Sequence, residues 1–109
     1  MRSSTSIRRD FALELWVGLK IIWPVLSALL LFVAIVGLVI AHLEGWSAGD
    51  GLYFSFVTGL TIGYGDMVPK RALSRLLAIA IGSVGVVLTG LIVSVGVAAF
   101  QRARNKDDP

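Results

Sequence analysis

Residues 53–69 read YFSFVTGLTIGYGDMVP, and six of them, Thr61-Ile62-Gly63-Tyr64-Gly65-Asp66, decide how the rest of the chain is read. Two glycines spaced two apart among stiffer residues describe a backbone that is neither helix nor ordinary strand. Successive carbonyls point to one side of a chain only if its dihedrals alternate between right- and left-handed regions, which glycine tolerates and β-branched residues resist. Gly63 and Gly65 suit the left-handed positions, while Thr61 and Ile62, restricted at χ1, suit the ordinary ones. A row of such carbonyls can replace the water around a dehydrated cation. Immediately upstream, Gly51-Leu52-Tyr53-Phe54-Ser55-Phe56-Val57-Thr58-Gly59-Leu60 is mostly apolar and aromatic, with Asp50 placed to cap its N-terminus. About ten to fourteen apolar residues are too few to cross a bilayer but suit a re-entrant helix of ~15–17 Å. A half-membrane helix returns by non-helical backbone, which is tolerated at depth only when buried in protein or lining a water-filled path.

Outward from this segment lie two uncharged apolar runs, Ile21–Ala41 and Leu76–Phe100. At ~1.5 Å per residue the first covers about one hydrocarbon core, and the second is long enough to span with tilt. The first run is longer than the roughly 7–15 residues of a signal-peptide core, and Ile40-Ala41-His42 is a poor cleavage site. Composition agrees. Hydrophobic residues make up 56% of the 109 and charged residues 16%, against about 45–50% and about 25% in soluble proteins. The mean hydropathy is +0.83. A small soluble domain needs proportionally more polar surface, so lipid is expected to cover the outside. The absence of cysteine excludes disulfides, thiolate metal sites, cysteine nucleophiles and palmitoylation.

Arg2, Arg8, Arg9 and Lys20 precede the first run and Arg102, Arg104 and Lys106 follow the second, whereas only Lys70, Arg71 and Arg75 lie between. This asymmetry predicts a multi-pass protein of the cell membrane with both termini cytoplasmic. Arg75, beside the second run, is expected to reach the headgroups. Residues 9–20 place Asp10 and Glu14 on one helical face and Phe11, Leu15, Trp16 and Leu19 on another. They read equally as a short interfacial helix or as the first turns of a longer membrane helix. Trp16, Trp23 and Trp46 read as interface anchors, His42 as an interfacial residue, and Pro24 as a kink or first-turn proline.

Tyr53 through Pro69, with spans on both sides, strongly resembles the pore helix, filter and outer mouth of two-transmembrane potassium channels. The resemblance implies that the carbonyls of Thr61, Ile62, Gly63 and Tyr64, with the Thr61 hydroxyl, bind potassium ions in a filter that Gly65 completes. It implies that Tyr64 points away from the pore into Tyr53 and Phe54, and that the pore helix ends facing the cavity, its negative dipole end favouring a cation. One chain supplies one filter strand, so a homotetramer is expected from closed cyclic symmetry. Some members of the family it resembles carry a glutamate where this chain has Val57, others carry a tryptophan where it has Tyr53, and the residue before the filter threonine, here Leu60, is usually another threonine. A hydrogen bond from Tyr53 to Asp66 behind the filter is the expected substitute. Gly59, late in the pore helix, costs about 1 kcal/mol relative to alanine and has no evident reason in the sequence.

The second run carries Gly82, Gly85, Gly90 and Gly96. Gly85 lies where the family's inner helix carries its bending glycine and is expected to be the hinge, while packing suffices for the other glycines. Ala78, Gly82, Gly90, Ser94 and Ala98 form a four-residue stripe interrupted at Val86. Val86, Thr89, Val93 and Val97 follow Gly85 along one face, and a ring of Val97 or Gln101 is expected to close the cytoplasmic end. There is no arginine ladder for voltage sensing, and residues 101–109 are too few for a ligand-binding domain. Membrane lipids, and anionic lipid at the basic ends, are the expected partners, with no nucleic acid. No nucleophile–base pair, metal cluster or phosphate loop indicates an enzyme.

The expected fold is all-α and membrane-embedded: a cytoplasmic or interfacial segment 1–20, an outer transmembrane helix 21–41, a re-entrant region 42–75, an inner transmembrane helix 76–100 and a tail 101–109. The re-entrant region holds a pore helix at about 50–60 and a selectivity filter at 61–66. The expected function is potassium-selective conduction gated by inner-helix bending. A weakly selective cation channel and a non-conducting membrane adaptor or subunit are the alternatives.

Overall fold

The computed structural model describes residues 4–105, with side chains from residue 5. Arg2, Lys106 and Asp107-Asp108-Pro109, to which the sequence assigns topology and tail, lie outside the described residues. Three helices follow in order: α1 (Ser4–Glu44), α2 (Ala48–Gly59) and α3 (Ala72–Asn105). The described residues contain no strand, and the fold is all-helical.

Of the two readings of residues 9–20, the structure takes the second, since they are the opening turns of α1, which runs through Pro24. The outer and inner helices both extend past the apolar runs 21–41 and 76–100. These two helices are long and apolar enough to cross a membrane. Only 33% of the most apolar window of α1 and 17% of that of α3 is buried. A core helix of a soluble protein would be mostly buried. Here the apolar surface faces outward, as it does in lipid.

Each helix end has a local cause. Gly45, at φ +73°, terminates α1, and the Trp46 N–H reaches back to the Ala41 carbonyl at 2.9 Å, the six-to-one bond of a Schellman end. Ser47, not Asp50, caps α2: its Oγ accepts from the Asp50 N–H at 3.1 Å. Asp50 sits one turn in, where its carboxylate meets the positive end of the helix dipole. The N-terminus of α3 is served by Glu44, whose carboxylate accepts from the Lys70 N–H, from the Arg71 N–H at 3.2 Å and from the Ser74 hydroxyl at 3.1 Å. Charge-assisted bonds of this kind are the stronger sort, and they tie the last residue of α1 to the first turn of α3. Arg75 is engaged within the chain, its Nε donating to the Pro69 carbonyl at 3.1 Å.

The chain divides into two compact units. Residues 26–89 form the larger one. Its buried apolar residues on α1 are Leu26, Val33, Val36, Ile40 and Ala41, one face at helical spacing. They are joined by Phe54 from α2 and by Ile81 and Leu88 from α3. Small residues let α2 approach its neighbours. A Cβ on Gly51 would lie 2.5 Å from the Gly37 carbonyl oxygen and 2.6 Å from the Ala41 Cβ, and one on Gly37 would meet the Ser55 Cβ at 2.6 Å. Gly51, Ser55 and Gly59, each one turn apart and all buried, are therefore the packing edge of α2, of the kind expected where helix backbones touch.

The second unit comprises the described residues 4–25 and 90–105. Phe11 and Phe100 meet edge to face, ring centres 6.3 Å apart, a favoured aromatic geometry. Gly18 admits Val95, whose Cγ1 would be 2.7 Å from a Cβ there. Ala99 and Ala103 are fully buried, and Arg102 stands 3.8 Å from Glu14.

Candidate functional site

The segment that follows α2 is built from the helix end outward. The N–H of Leu60 bonds to the Phe56 carbonyl and that of Thr61 to the Thr58 carbonyl, while Ile62 and Gly63 both reach the Val57 carbonyl, at 2.9 and 3.3 Å. The closing carbonyls of α2 thus hold the start of segment 61–66, and Val57 contributes through its backbone rather than its side chain. Two further carbonyls at this end are also engaged: that of Leu60 accepts from the Thr61 hydroxyl at 2.6 Å, and that of Gly59 lies against Gly85.

Three residues in this segment have left-handed backbones: Thr61 at φ +62°, Gly63 at +60° and Gly65 at +78°. The sequence places Thr61 among the ordinary positions, and the structure corrects this. Thr61 is the sole non-glycine with positive φ among the described residues, an outlier for a β-branched side chain. The correction makes the pattern more regular, because left-handed residues now stand at every second position. Alternating handedness is the condition under which successive carbonyls share a side.

Behind this strand the Tyr53 hydroxyl donates to Asp66 Oδ2 at 2.9 Å, the bond expected from the Tyr53 and Val57 departures. It spans thirteen residues, joining the first half of α2 to the far end of segment 61–66. Tyr64 does not meet Tyr53 or Phe54 ring to ring. Its side chain is 69% exposed, and the Phe54 ring instead packs edge-on against Trp46, centres 5.4 Å apart. Trp46, read from sequence as an interface anchor, thus also packs against α2.

Every residue from Thr61 to Asp66 is exposed in the single chain, and Ile62, Tyr64 and Val68 are among the large exposed apolar side chains. Non-helical backbone with open carbonyls is not sustained against lipid, so this face needs other protein or water beside it.

On α3, Gly85 stands apart from the other glycines. A Cβ there would overlap the Gly59 carbonyl, lying 2.6 Å from its carbon and 2.7 Å from the Gly59 Cα. Nothing lies within 4 Å of a Cβ built on Gly82, Gly90 or Gly96. Within one chain, then, a close contact accounts for glycine at 85, and no contact among the described residues accounts for Gly82, Gly90 or Gly96. A Cβ on Gly59 itself would meet Ile81 and Val33 only at 3.7 Å, an ordinary contact distance, so its own surroundings do not require glycine there. Val86 and Thr89 are exposed in the larger unit. In the smaller unit Val93, Val97 and Gln101 line a groove of about 510 Å³ with Phe11, Phe100 and Arg104. The described residues hold no cluster of three or more His, Asp or Glu fit for a metal ion.

Sequence reasoning missed Gly37, Gly45, Ser47, Gly51 and Glu44. Gly51, Ser55 and Gly59 at four-residue spacing were the available signal for the first contact, and a glycine just past an apolar helix for the second. Nothing in the sequence pairs Glu44 with residues 26 to 30 positions on.

Comparison with known proteins gives a family and relatives. A family model described as "Ion channel" matches residues 28–102. The chain is 51% identical over 43 residues to human potassium channel subfamily K member 17, covering 39% of this chain and 13% of that protein. It is 53% identical over 45 residues to two-pore potassium channel 1 of Arabidopsis thaliana, covering 41% of this chain and 12% of that protein. With human potassium channel subfamily K member 2 the identity is 48% over 44 residues, 40% of this chain and 10% of that protein. The chain thus spans only about a tenth to an eighth of the length of these relatives. No solved structure matches it.

Proposed function

Since the chain belongs to the ion channel family, we propose that it supplies one quarter of a potassium-selective pore. The observation that carries this reading is the alternation of left-handed residues at 61, 63 and 65 in an exposed segment suspended from the end of a short helix. Four such strands around an axis would present the carbonyls of Thr61, Ile62, Gly63 and Tyr64 as successive rings, completed at Gly65. A potassium ion entering these rings exchanges its water oxygens for carbonyls, and neighbouring occupied sites repel enough to keep ions moving.

The homotetramer is supported by the exposed face of the filter segment and by the need to exclude lipid from it. It explains the exposure of Ile62 and Tyr64, which would be covered by the neighbouring chain. In this assembly Val86, Thr89, Val93, Val97 and Gln101 line the path beyond the filter, and bending of α3 would have to move Gly85 against the Gly59 backbone. Gating and the filter would then be coupled at that contact. The excess of basic residues outside the re-entrant region supports cytoplasmic termini, in the cell membrane.

The test is reconstitution of the purified chain in liposomes with potassium, rubidium and sodium flux measured separately. The expected result is potassium and rubidium flux with sodium excluded by at least about tenfold, a difference of ~1.4 kcal/mol between the two ions. Equal sodium flux would indicate a weakly selective channel, and no flux at any pH or lipid composition a non-conducting adaptor.

The Tyr53–Asp66 bond gives a narrower prediction. Tyr53→Phe keeps the ring and removes the donor, leaving the Asp66 carboxylate without that partner. Conduction should decay severalfold faster during sustained activity, on the order expected for loss of one hydrogen bond to a charged acceptor. Unchanged decay in single-channel recordings would remove Tyr53 from filter support.

A further inference from the structure

We propose that the opening turns of the outer helix are a moving part of the gate: residues 4–25 and 90–105 swing together as one braced pair, turning at Pro24 in α1 and at Gly90 in α3. The chain passes between its two compact units twice, after Val25 and after Thr89, and a feature that weakens a helix stands at each passage. Pro24, inside α1, has no N–H to give to the carbonyl four residues back, and a helix bends at such a place. Gly90 has nothing within 4 Å of a Cβ built on it, so no contact among the described residues requires its small size. Its carbonyl accepts the Ser94 hydroxyl at 2.7 Å. A serine bonded back to the fourth carbonyl before it bends a helix, and glycine–serine pairs are sites of kinks. A bend at Gly85 has to displace the Gly59 backbone, whereas one at Gly90, about a turn and a half farther along, does not.

Within the smaller unit the two helix ends are tied at three levels. Phe11 meets Phe100 edge to face, and Arg102 stands 3.8 Å from Glu14. Val95 fits so closely against Gly18 that a Cβ there would lie 2.7 Å from Val95 Cγ1. From residue 11 to residue 18 these contacts follow α1 for ~10.5 Å of its axis. Sliding α3 past α1 would break an aromatic pair, an ion pair and a close helix contact together. Turning both helices as a pair breaks none of them, and a close-packed contact shifts as a whole more readily than in part. The inference rests on the reading of the chain as one quarter of a gated pore. It goes beyond that reading in giving the outer helix a share of the motion and in placing the bend at Gly90.

The chain has no cysteine, so Gly18→Cys combined with Val95→Cys introduces one defined bridge in each copy. A Cβ at 18 lies 3.8 Å from the Val95 Cβ, the usual separation across a disulfide, and the same change removes the valine methyl that crowds it. In single-channel recordings from reconstituted full-length chain, with the bridge confirmed by mass, the oxidised pore should open as often as the reduced one. Gly90→Ala should lower the open probability about fivefold, the ratio given by ~1 kcal/mol of alanine's helix preference over glycine. Pro24→Ala, which restores the missing N–H, should lower it at least as much. A bridged pore that stays shut until reductant is added overturns the proposal, because α3 then bends past α1. An open probability unchanged by Pro24→Ala or by Gly90→Ala overturns it too. Should the two-cysteine chain not assemble, these two variants decide alone: a fall in both upholds the braced pair, and no change in either overturns it. Absence of potassium flux from the unsubstituted chain is the separate failure of the pore reading, and removes this inference with it.

Discussion

Gly85→Ala should abolish potassium flux and prevent a stable assembly, whereas Gly82→Ala should leave both nearly unchanged. Two effects of opposite sign compete in each variant. Alanine is favoured over glycine inside a helix by about 1 kcal/mol. At position 82 nothing lies within 4 Å of the added methyl, so the helix gains and nothing is lost. At position 85 the methyl would overlap the Gly59 carbonyl. The obstacle is backbone, not the far end of a flexible side chain, and relief requires moving either α3 or the end of α2. Overpacking of a core costs about 1–3 kcal/mol when side chains can adjust, and here they cannot. Four copies per pore multiply the cost, so packing loss outweighs the helix gain at 85 by a wide margin. The measurement is tetramer survival in detergent on heating, alongside flux. A Gly85→Ala pore that assembles but stays closed would instead favour the hinge reading, in which flexibility and not closeness is what glycine supplies. Normal assembly and normal flux would dismiss both.

Much of this was legible in the sequence because it depends on local rules. The two spans follow from uninterrupted apolar length and α2 from a short apolar run, whereas the Tyr53–Asp66 bond was expected only from the resemblance to a family in which some members place a carboxyl where this chain has Val57. What was not legible depends on partners distant in sequence or on backbone geometry that overrides preference. The position of Gly85 along the chain is visible in the sequence, and its contact with Gly59 is not. Glu44 is an ordinary acid at the end of a helix until residues 70 to 74 arrive beneath it. Asp50 and Ser47 are both good caps, and the choice between them rested on where α1 stopped, which Gly45 decided. Thr61 is the instructive miss. Its intrinsic preference is for ordinary backbone, yet the bonds from Ile62 and Gly63 to the Val57 carbonyl fix the turn off α2, and the turn requires the left-handed region at 61.

Gly63→Ala should cost the pore its selectivity and destabilise it more than an equivalent change at any ordinary loop position. Gly63 sits at φ +60° with nothing within 4 Å of an added Cβ, so a clash with neighbours is not the reason. The penalty is intrinsic to an L-residue in the left-handed region, about 1–2 kcal/mol for each chain, and about fourfold that for a pore in which all four strands carry the change. The strand can escape the penalty only by returning position 63 to negative φ. That breaks the alternation between Thr61 and Gly65 and turns at least one carbonyl ring out of the path. A cation then meets fewer oxygens at fixed spacing, and discrimination against sodium falls before conduction itself fails. Rubidium and sodium flux through the Gly63→Ala pore, measured beside tetramer stability, separates the two consequences. A tetramer that survives less heating than the parent and passes sodium as readily as rubidium is the expected result. A stable tetramer with selectivity intact would mean that the alternating backbone is not what selects the ion. Thr61 already bears the same kind of strain, on the order of 1–3 kcal/mol for a residue held off its preferred dihedrals, and it bears it with a hydroxyl committed to the Leu60 carbonyl. With one of the three left-handed positions already strained, the strand has little latitude to absorb a second, so under the proposed function substitutions at Gly63 and Gly65 should have the largest effects on selectivity.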